Sequence, residues 1–180
     1  MTKFIAFLRA VNVGGHVVKM DALREMFEAL GLSKVETFIA SGNVIFEARS
    51  KDAAALEKKI AAHLLKKLGY EVGVFLRTDA EVAAIAKYKP FPAAAMKSAG
   101  AFVVAFLGAA PSAAAVKSLT SNRSASDDFH VNGREAYWLS RTNQSDSAFF
   151  KVGFDKALGM PATARSITTV SKLAAKYPPG

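Results

Sequence analysis

The stretch VETFIASGNVIFEA at residues 35–48 holds two β-rich runs, Val35 to Ala40 and Val44 to Ala48, on either side of Ser41-Gly42-Asn43. Glycine accepts the positive φ that the first central position of a tight hairpin needs, so Gly42-Asn43 predicts a turn between antiparallel strands. A strand and a helix are expected before this hairpin, and a helix and a strand after it. The first half therefore has the order β-α-β-β-α-β, which is that of a ferredoxin-like unit.

Apolar spacing and end signals mark the elements around the hairpin. Phe4 to Ala10 predicts a strand that is buried on both faces. Asp21 is expected to cap a first helix whose apolar positions lie three and four residues apart, and Gly31 is expected to end it. A second helix is expected from about Asp52 to Leu68, followed by a fourth strand from Val72 to Arg77.

The second half repeats this order of elements. Thr78-x-x-Glu81 is a capping box that predicts a short helix before a linker. A two-residue turn at Asn132-Gly133 is expected to place His130 opposite Glu135. The chain is therefore predicted to be an α+β protein of two tandem ferredoxin-like (split βαβ, α/β-plait) units. The expected limits are 1–90 for the first unit with a short trailing helix, 91–100 for the linker, and 101–180 for the second unit with a C-terminal helix.

Composition excludes several classes of function. The 180 residues contain no cysteine, which excludes disulfides, zinc–thiolate sites and cysteine nucleophiles. No run approaches the roughly 20 apolar residues of a membrane span, so we expect a cytoplasmic protein without a membrane partner. No histidine spacing is typical of a metal site. The 24 basic and 15 acidic residues give a net charge of +9, which attracts anions without specifying a partner.

Topology brings two distant polar segments to one edge of the first sheet. In a split βαβ unit the first two strands run parallel, so the loop after the first strand and the turn after the second meet beside the first helix N-terminus. Glycines allow close approach of a ligand, arginine is a forked donor, and serine, asparagine and histidine add hydrogen bonds. The candidate ligand-binding residues are Arg9, Asn12, Gly14, Gly15, His16, Ser41, Gly42 and Asn43.

Three functions remain open, in a definite order. The first is binding of an anionic small molecule or a nucleotide phosphate at this corner. The second is nucleic-acid binding through the basic surface, although strand three holds a single aromatic residue where RNA-recognition motifs stack bases. The third is an enzyme that uses His16 as a proton carrier. A structural explanation of the same residues, with glycines relieving a tight connection, stands beside all three. No motif assigns a catalytic residue, a cofactor, or a part for Arg165 in the site.

Four segments resemble a known family. They are FLRAVNVGG at 7–15, SGNVIF at 41–46, KPFP at 89–92 and TARSITTVSKL at 163–173. They are similar to the patterns L-R-G-I-N-V-G-G, S-G-N-V-x-F, N-P-F-P and T-x-R-N-W-x-T-V-x-K-L of domain-of-unknown-function family 1697. Ala10 replaces a glycine, Lys89 an asparagine, and Ser166-Ile167 an Asn-Trp pair. The resemblance implies two ferredoxin-like halves and no established activity or cofactor.

Overall fold

The computed structural model describes residues 1–12, 14–39 and 42–180. The chain forms two compact units, one of Met1–Ala86 together with Ser171–Gly180, the other of Lys87–Val170. The segment after residue 170 thus belongs with the first unit. The limits expected at residues 90 and 100 stay a prediction.

The first unit is built on a four-stranded antiparallel sheet. Its elements are β1 (Thr2–Arg9), α1 (Met20–Glu28), β2 (Ser33–Thr37), β3 (Asn43–Ala48), α2 (Ala53–Leu68), β4 (Gly73–Thr78) and α3 (Asp79–Lys87). The strand order is β2-β3-β1-β4, with β1 antiparallel to both β3 and β4. Since β3 is also antiparallel to β2, β1 and β2 run parallel with β3 between them, as the sequence predicts.

The second unit repeats this arrangement. Its elements are α4 (Ala93–Lys97), β5 (Ala101–Leu107), α5 (Ala113–Thr120), β6 (Asp127–Asn132), β7 (Glu135–Ser140), a short 3-10 helix (Gln144–Asp146), α6 (Phe149–Leu158) and β8 (Ala162–Ser166), followed by α7 (Ile167–Lys176). The strand order β6-β7-β5-β8 matches the first sheet element for element. The protein is therefore α+β with two ferredoxin-like units, as predicted.

Helix α2 shows how local signals set an element. The Asp52 carboxylate accepts a 3.1 Å hydrogen bond from the Ala55 amide, which satisfies one of the unpaired N–H groups at the helix start. Leu56, Ile60 and Leu64 are buried, and each contributes about 1.5–3 kcal/mol by leaving water. Gly69 ends the helix with φ of 80°, which only glycine adopts without strain.

Two details of the predicted hairpins are wrong. Asn43 is the first residue of β3 rather than part of a two-residue turn, and residues 38–42 connect β2 to β3. In the second unit Asn132 pairs with Glu135 across the hairpin, so the loop is Gly133-Arg134. This shift of one residue places His130 opposite Tyr137 instead of Glu135. Strong turn residues located both hairpins, but the register depends on packing along the strands.

Two helix boundaries also differ from the expectation. Helix α1 begins at Met20, so Asp21 lies in its first turn and pairs with Arg24 at 3.2 Å instead of capping the helix. The stretch 91–100, expected to be a linker, contains α4. Among the helices that the structure describes, none is long and apolar enough to cross a membrane.

Candidate functional site

The end of β1 and the start of β3 are neighbours, as the topology predicts. The Leu8 amide donates a 2.8 Å hydrogen bond to the Gly42 carbonyl. The β1–α1 connection, residues 10–19, and the β2–β3 connection, residues 38–42, therefore leave the sheet side by side. We call these two connections, together with Arg9 and Asn43, the loop corner.

The β1–α1 connection is braced by two side chains. Asn12 Oδ1 accepts a 2.8 Å hydrogen bond from the Val18 amide, which closes the loop on itself. The Tyr70 hydroxyl donates to the Val11 carbonyl at 2.5 Å. The exposed His16 ring stacks on Tyr70 with 4.3 Å between ring centroids. Asn12 therefore shapes the loop, and its predicted contact with a ligand stays a prediction.

The β2–β3 connection is braced from inside the unit. Asn43 is 2% exposed. Its Nδ2 donates to the Phe38 carbonyl at 2.9 Å and to the Ile39 carbonyl at 3.3 Å. Asn43 thus holds the connection in place, and a further role in binding stays a prediction. Ser41, also a predicted binding residue, lies outside the residues that the structure describes.

Backbone strain occurs in both connections. Ala10 has φ of 64° and Ile39 has φ of 50°. The left-handed region costs an L-residue about 1–2 kcal/mol, and a β-branched side chain such as that of Ile39 is rarely found there. Such strain is concentrated at functional sites, where surrounding contacts maintain it. The position of Ala10 explains why glycine is suited to it.

The solvent side of the loop corner carries glycine backbone and positive charge. Gly14 and Gly15 are exposed with φ of 59° and 82°, and a Cβ built on Gly15 would meet nothing within 4 Å. Glycine is therefore required by the backbone angle, and the space beside it is open. Arg9 is half-buried next to the loop. Helix α2, whose C-terminal end leads to Tyr70, has exposed Lys66 and Lys67 in its last turn.

A proton-transfer role for His16 finds no supporting partner. Within residues 1–12, 14–39 and 42–180, no carboxylate forms a hydrogen bond or an ion pair with His16, and its one ring contact is with Tyr70. A general base is normally oriented by a third group. The same part of the chain holds no cluster of three or more histidine or carboxylate side chains placed to bind a metal ion.

The aromatic residues of β1 and β3 are not available for base stacking. Phe4 is 1% exposed, and Phe7 and Phe46 are fully buried. RNA-recognition motifs need such side chains on the sheet surface. Any nucleic-acid binding would therefore depend on charge, not on the sheet.

Sequence reasoning missed the role of Asp127 in the second unit. Asp127 Oδ1 accepts from Trp138 Nε1 at 2.8 Å and from the Ser147 hydroxyl at 2.9 Å. Oδ2 accepts from the Ser126 hydroxyl at 2.9 Å and from the Ser124 hydroxyl at 3.2 Å. Burial alone raises the pKa of Asp127, but these hydrogen bonds outweigh burial and hold the pKa below its ordinary value of 3.8. The carboxylate therefore stays ionised and organises the chain before β6.

Arg165 lies on β8 of the second unit. Its Nη1 donates to Thr163 Oγ1 at 2.9 Å and to the Ala164 carbonyl at 2.8 Å. Burial lowers the pKa of Arg165 to about 10. These contacts are within its own strand, and a part for Arg165 in the predicted site stays untested.

Comparisons with known proteins agree with the fold. No curated protein matches the sequence. A solved structure, that of the conserved bacterial protein SP0830 from Streptococcus pneumoniae, is similar with a TM-score of 0.74 and 21% identity, over 98% of this chain and 98% of its own. This similarity concerns the fold alone. The family model "Protein of unknown function (DUF1697)" matches residues 1–137, and the chain therefore belongs to the DUF1697 family.

Proposed function

We propose that the protein binds an anionic small molecule, such as the phosphate of a nucleotide, at the loop corner. The observation that carries this proposal is a difference in loop length between the two units. Residues 10–19 connect β1 to α1, whereas residues 108–112 make the equivalent connection in the second unit with half the length. Residues 38–42 connect β2 to β3, whereas the equivalent hairpin needs only residues 133–134.

The longer connections are not needed to close the fold, since the second unit closes without them. Long ordered loops on a rigid scaffold are where binding residues concentrate. Here both long connections lie side by side, and each contains a strained non-glycine residue, Ala10 or Ile39. Bracing by Tyr70 and Asn43 fixes their conformation. A fixed loop loses little conformational entropy when a ligand binds.

The chemistry of the corner suits an anion. The exposed backbone of Gly14 and Gly15 can be approached closely, and its N–H groups are donors for a phosphate. Arg9 is a forked donor for the same group. Free N–H groups at the start of α1 add a favourable dipole at its N-terminus. The excess of basic residues over the whole chain raises the encounter rate with anions.

The proposal is tested by titrating the whole chain with ADP and with inorganic phosphate while recording amide NMR signals. We expect saturable shifts at Gly14, Gly15 and Gly42. Gly15→Ala places a methyl group on the open side of the loop and should abolish the binding. Absence of saturable shifts with both probes would refute the proposal.

Gly31→Ala is a matched control. Gly31 has φ of 80°, close to that of Gly15, and a Cβ there also meets nothing within 4 Å. Both variants should lose about 1–2 kcal/mol of stability from the left-handed backbone, but only Gly15→Ala should lose affinity. Equal affinity of the two variants would show that the loop is not the site. Binding of an oligonucleotide that weakens steeply with salt and ignores Gly15→Ala would favour the nucleic-acid alternative.

A further inference from the structure

The second unit contains a cavity of about 340 Å³ beside α4, a volume within the range of small-molecule sites. It is lined by Phe91, Ala95, Leu139, Arg141 and residues 123–128. A groove of about 570 Å³ shares Ala95, Leu139 and Arg141 with it, so the two depressions adjoin. Nothing in the sequence motifs points to this region, because its walls come from α4, β7 and the chain before β6.

One wall of the cavity is polar and held in place. Arg123 Nε donates to Asp128 Oδ1 at 2.8 Å, and Arg123 Nη2 donates to the Phe129 carbonyl at 2.9 Å. These two bonds use two of the five N–H donors of the guanidinium and fix its plane. Asp128 is thereby neutralised by Arg123. Asp127 is already satisfied by four donors.

Arg141 is the charge without a counter-ion in this wall. Its amide donates to the Ser126 carbonyl at 2.8 Å, which anchors the backbone at the end of β7. Its exposed guanidinium has no hydrogen-bond or ion-pair partner anywhere in the described part of the chain. The same side chain lines both depressions. The cavity therefore presents one uncompensated positive charge.

The opposite wall is apolar. Phe91 is 7% exposed and Leu139 is 5% exposed, and both line the cavity with Ala95. We propose that this cavity binds a small monocarboxylate with an apolar body. The carboxylate pairs with the forked guanidinium of Arg141, and the body packs against the apolar wall. One uncompensated cation matches one negative charge, and the carboxylates of Asp127 and Asp128 in the wall disfavour a phosphate dianion.

The probes are 3-phenylpropionate, its neutral amide, and inorganic phosphate, added to the full chain and measured by calorimetry. Trp138 supplies a second readout, because it is the chain's one tryptophan and its indole N–H is bonded to Asp127 of the cavity wall. We expect saturable binding of the carboxylate at millimolar concentration, with a shift of the indole N–H resonance. The amide should bind at least about tenfold more weakly.

Two variants test the position of the ligand. Arg141→Gln removes the charge without breaking an internal contact and should weaken carboxylate binding about tenfold or more, whereas Arg49→Gln, an exposed arginine outside the lining, should change nothing. Ala95→Leu fills the cavity, keeps its charges and should also block binding. The proposal fails if the carboxylate does not bind, if Arg141→Gln or Ala95→Leu binds as the unmodified chain does, or if phosphate competes equally for the cavity. Gly15→Ala, which tests the loop corner, should leave this binding unchanged.

Discussion

Asp127→Ala should destabilise the protein by about 3 kcal/mol, because it leaves two buried donors without their acceptor. Trp138 is 4% exposed and Ser147 is 5% exposed, and both donate to Asp127 Oδ1. A buried donor left unsatisfied costs about 1–3 kcal/mol. The serine hydroxyl can rotate toward another acceptor, whereas the indole N–H is fixed by its ring, so most of the loss comes from Trp138. For a chain of this size the expected fall in Tm is about 6–12 °C.

The neighbouring carboxylate is a matched control. Asp128 forms one ion pair with Arg123 and its side chain is 49% exposed, so Asp128→Ala should cost less than about 1 kcal/mol. Thermal and urea unfolding would be followed by circular dichroism and by the fluorescence of Trp138. Equal losses for the two variants would refute the reasoning, because they would show that the buried network contributes no more than a surface pair.

The same carboxylate should make stability depend on acid. The pKa of Asp127 in the folded protein lies below 3.8. Its contribution is therefore fully present above the unfolded value and is lost as the pH falls through the folded one. Asp127→Asn keeps an oxygen acceptor for Trp138 but cannot be protonated in this range. The free energy of unfolding of the variant, measured in urea from about pH 5 down to about pH 2, should fall less than that of the unmodified chain. Parallel curves would contradict the assignment.

Three further changes test the loop corner as a structure. Tyr70→Phe removes the donor to the Val11 carbonyl and should cost about 1 kcal/mol and speed amide exchange in the β1–α1 connection. Asn43→Ala leaves two carbonyls unpaired and should cost about 1–3 kcal/mol in urea unfolding, whereas the exposed Asn132→Ala should cost little. Ala10→Gly relieves a φ of 64° and should raise the free energy of unfolding by about 1 kcal/mol; a loss of stability would contradict the strain.

Local signals in the sequence were sufficient for most of the fold. The Asp52 cap, the leucine stripe of α2 and the Gly69 stop all lie within one helix, and each acts as its chemistry predicts. The capping box is also confirmed, since Thr78 Oγ1 accepts from the Glu81 amide at 3.1 Å. Strand order followed from the order of elements and the handedness of the crossover. These inferences need only neighbours along the chain and a small set of topologies.

The missed features depend on contacts between distant residues. The bond from Tyr70 to Val11 joins residues that lie 59 positions apart, and no pattern within a helix or strand announces it. The cavity around Arg141 requires α4, which was expected to be a linker. Asp127 and Asp128 differ in burial because of what packs on each side of β6, which period-2 alternation suggests but does not determine.

Register reveals a likeness between the units that the sequence does not show. Arg77 lies opposite Ile5 in the first sheet, and Arg165 lies opposite Val104 at the equivalent position of the second. In each case Nη1 donates to the carbonyl of the preceding residue, at 2.9 and 2.8 Å. The scaffolds therefore correspond in a buried polar side chain as well as in strand order. Differences between the units are then informative, because they are departures from a shared frame.

The departures lie at opposite ends of the two sheets. The first unit has the longer connections after β1 and before β3, where the loop corner lies. The second unit instead has the longer connection from α5 to β6, residues 121–126 against 29–32, and from β7 to α6, residues 141–148 against 49–52. These segments supply Arg123 and Arg141 to the cavity wall. Each unit closes its fold with the short version of the loops that the other lengthens, so folding does not account for the extra residues. The two proposed sites do account for them, and they divide the binding surfaces between the units instead of repeating one surface twice.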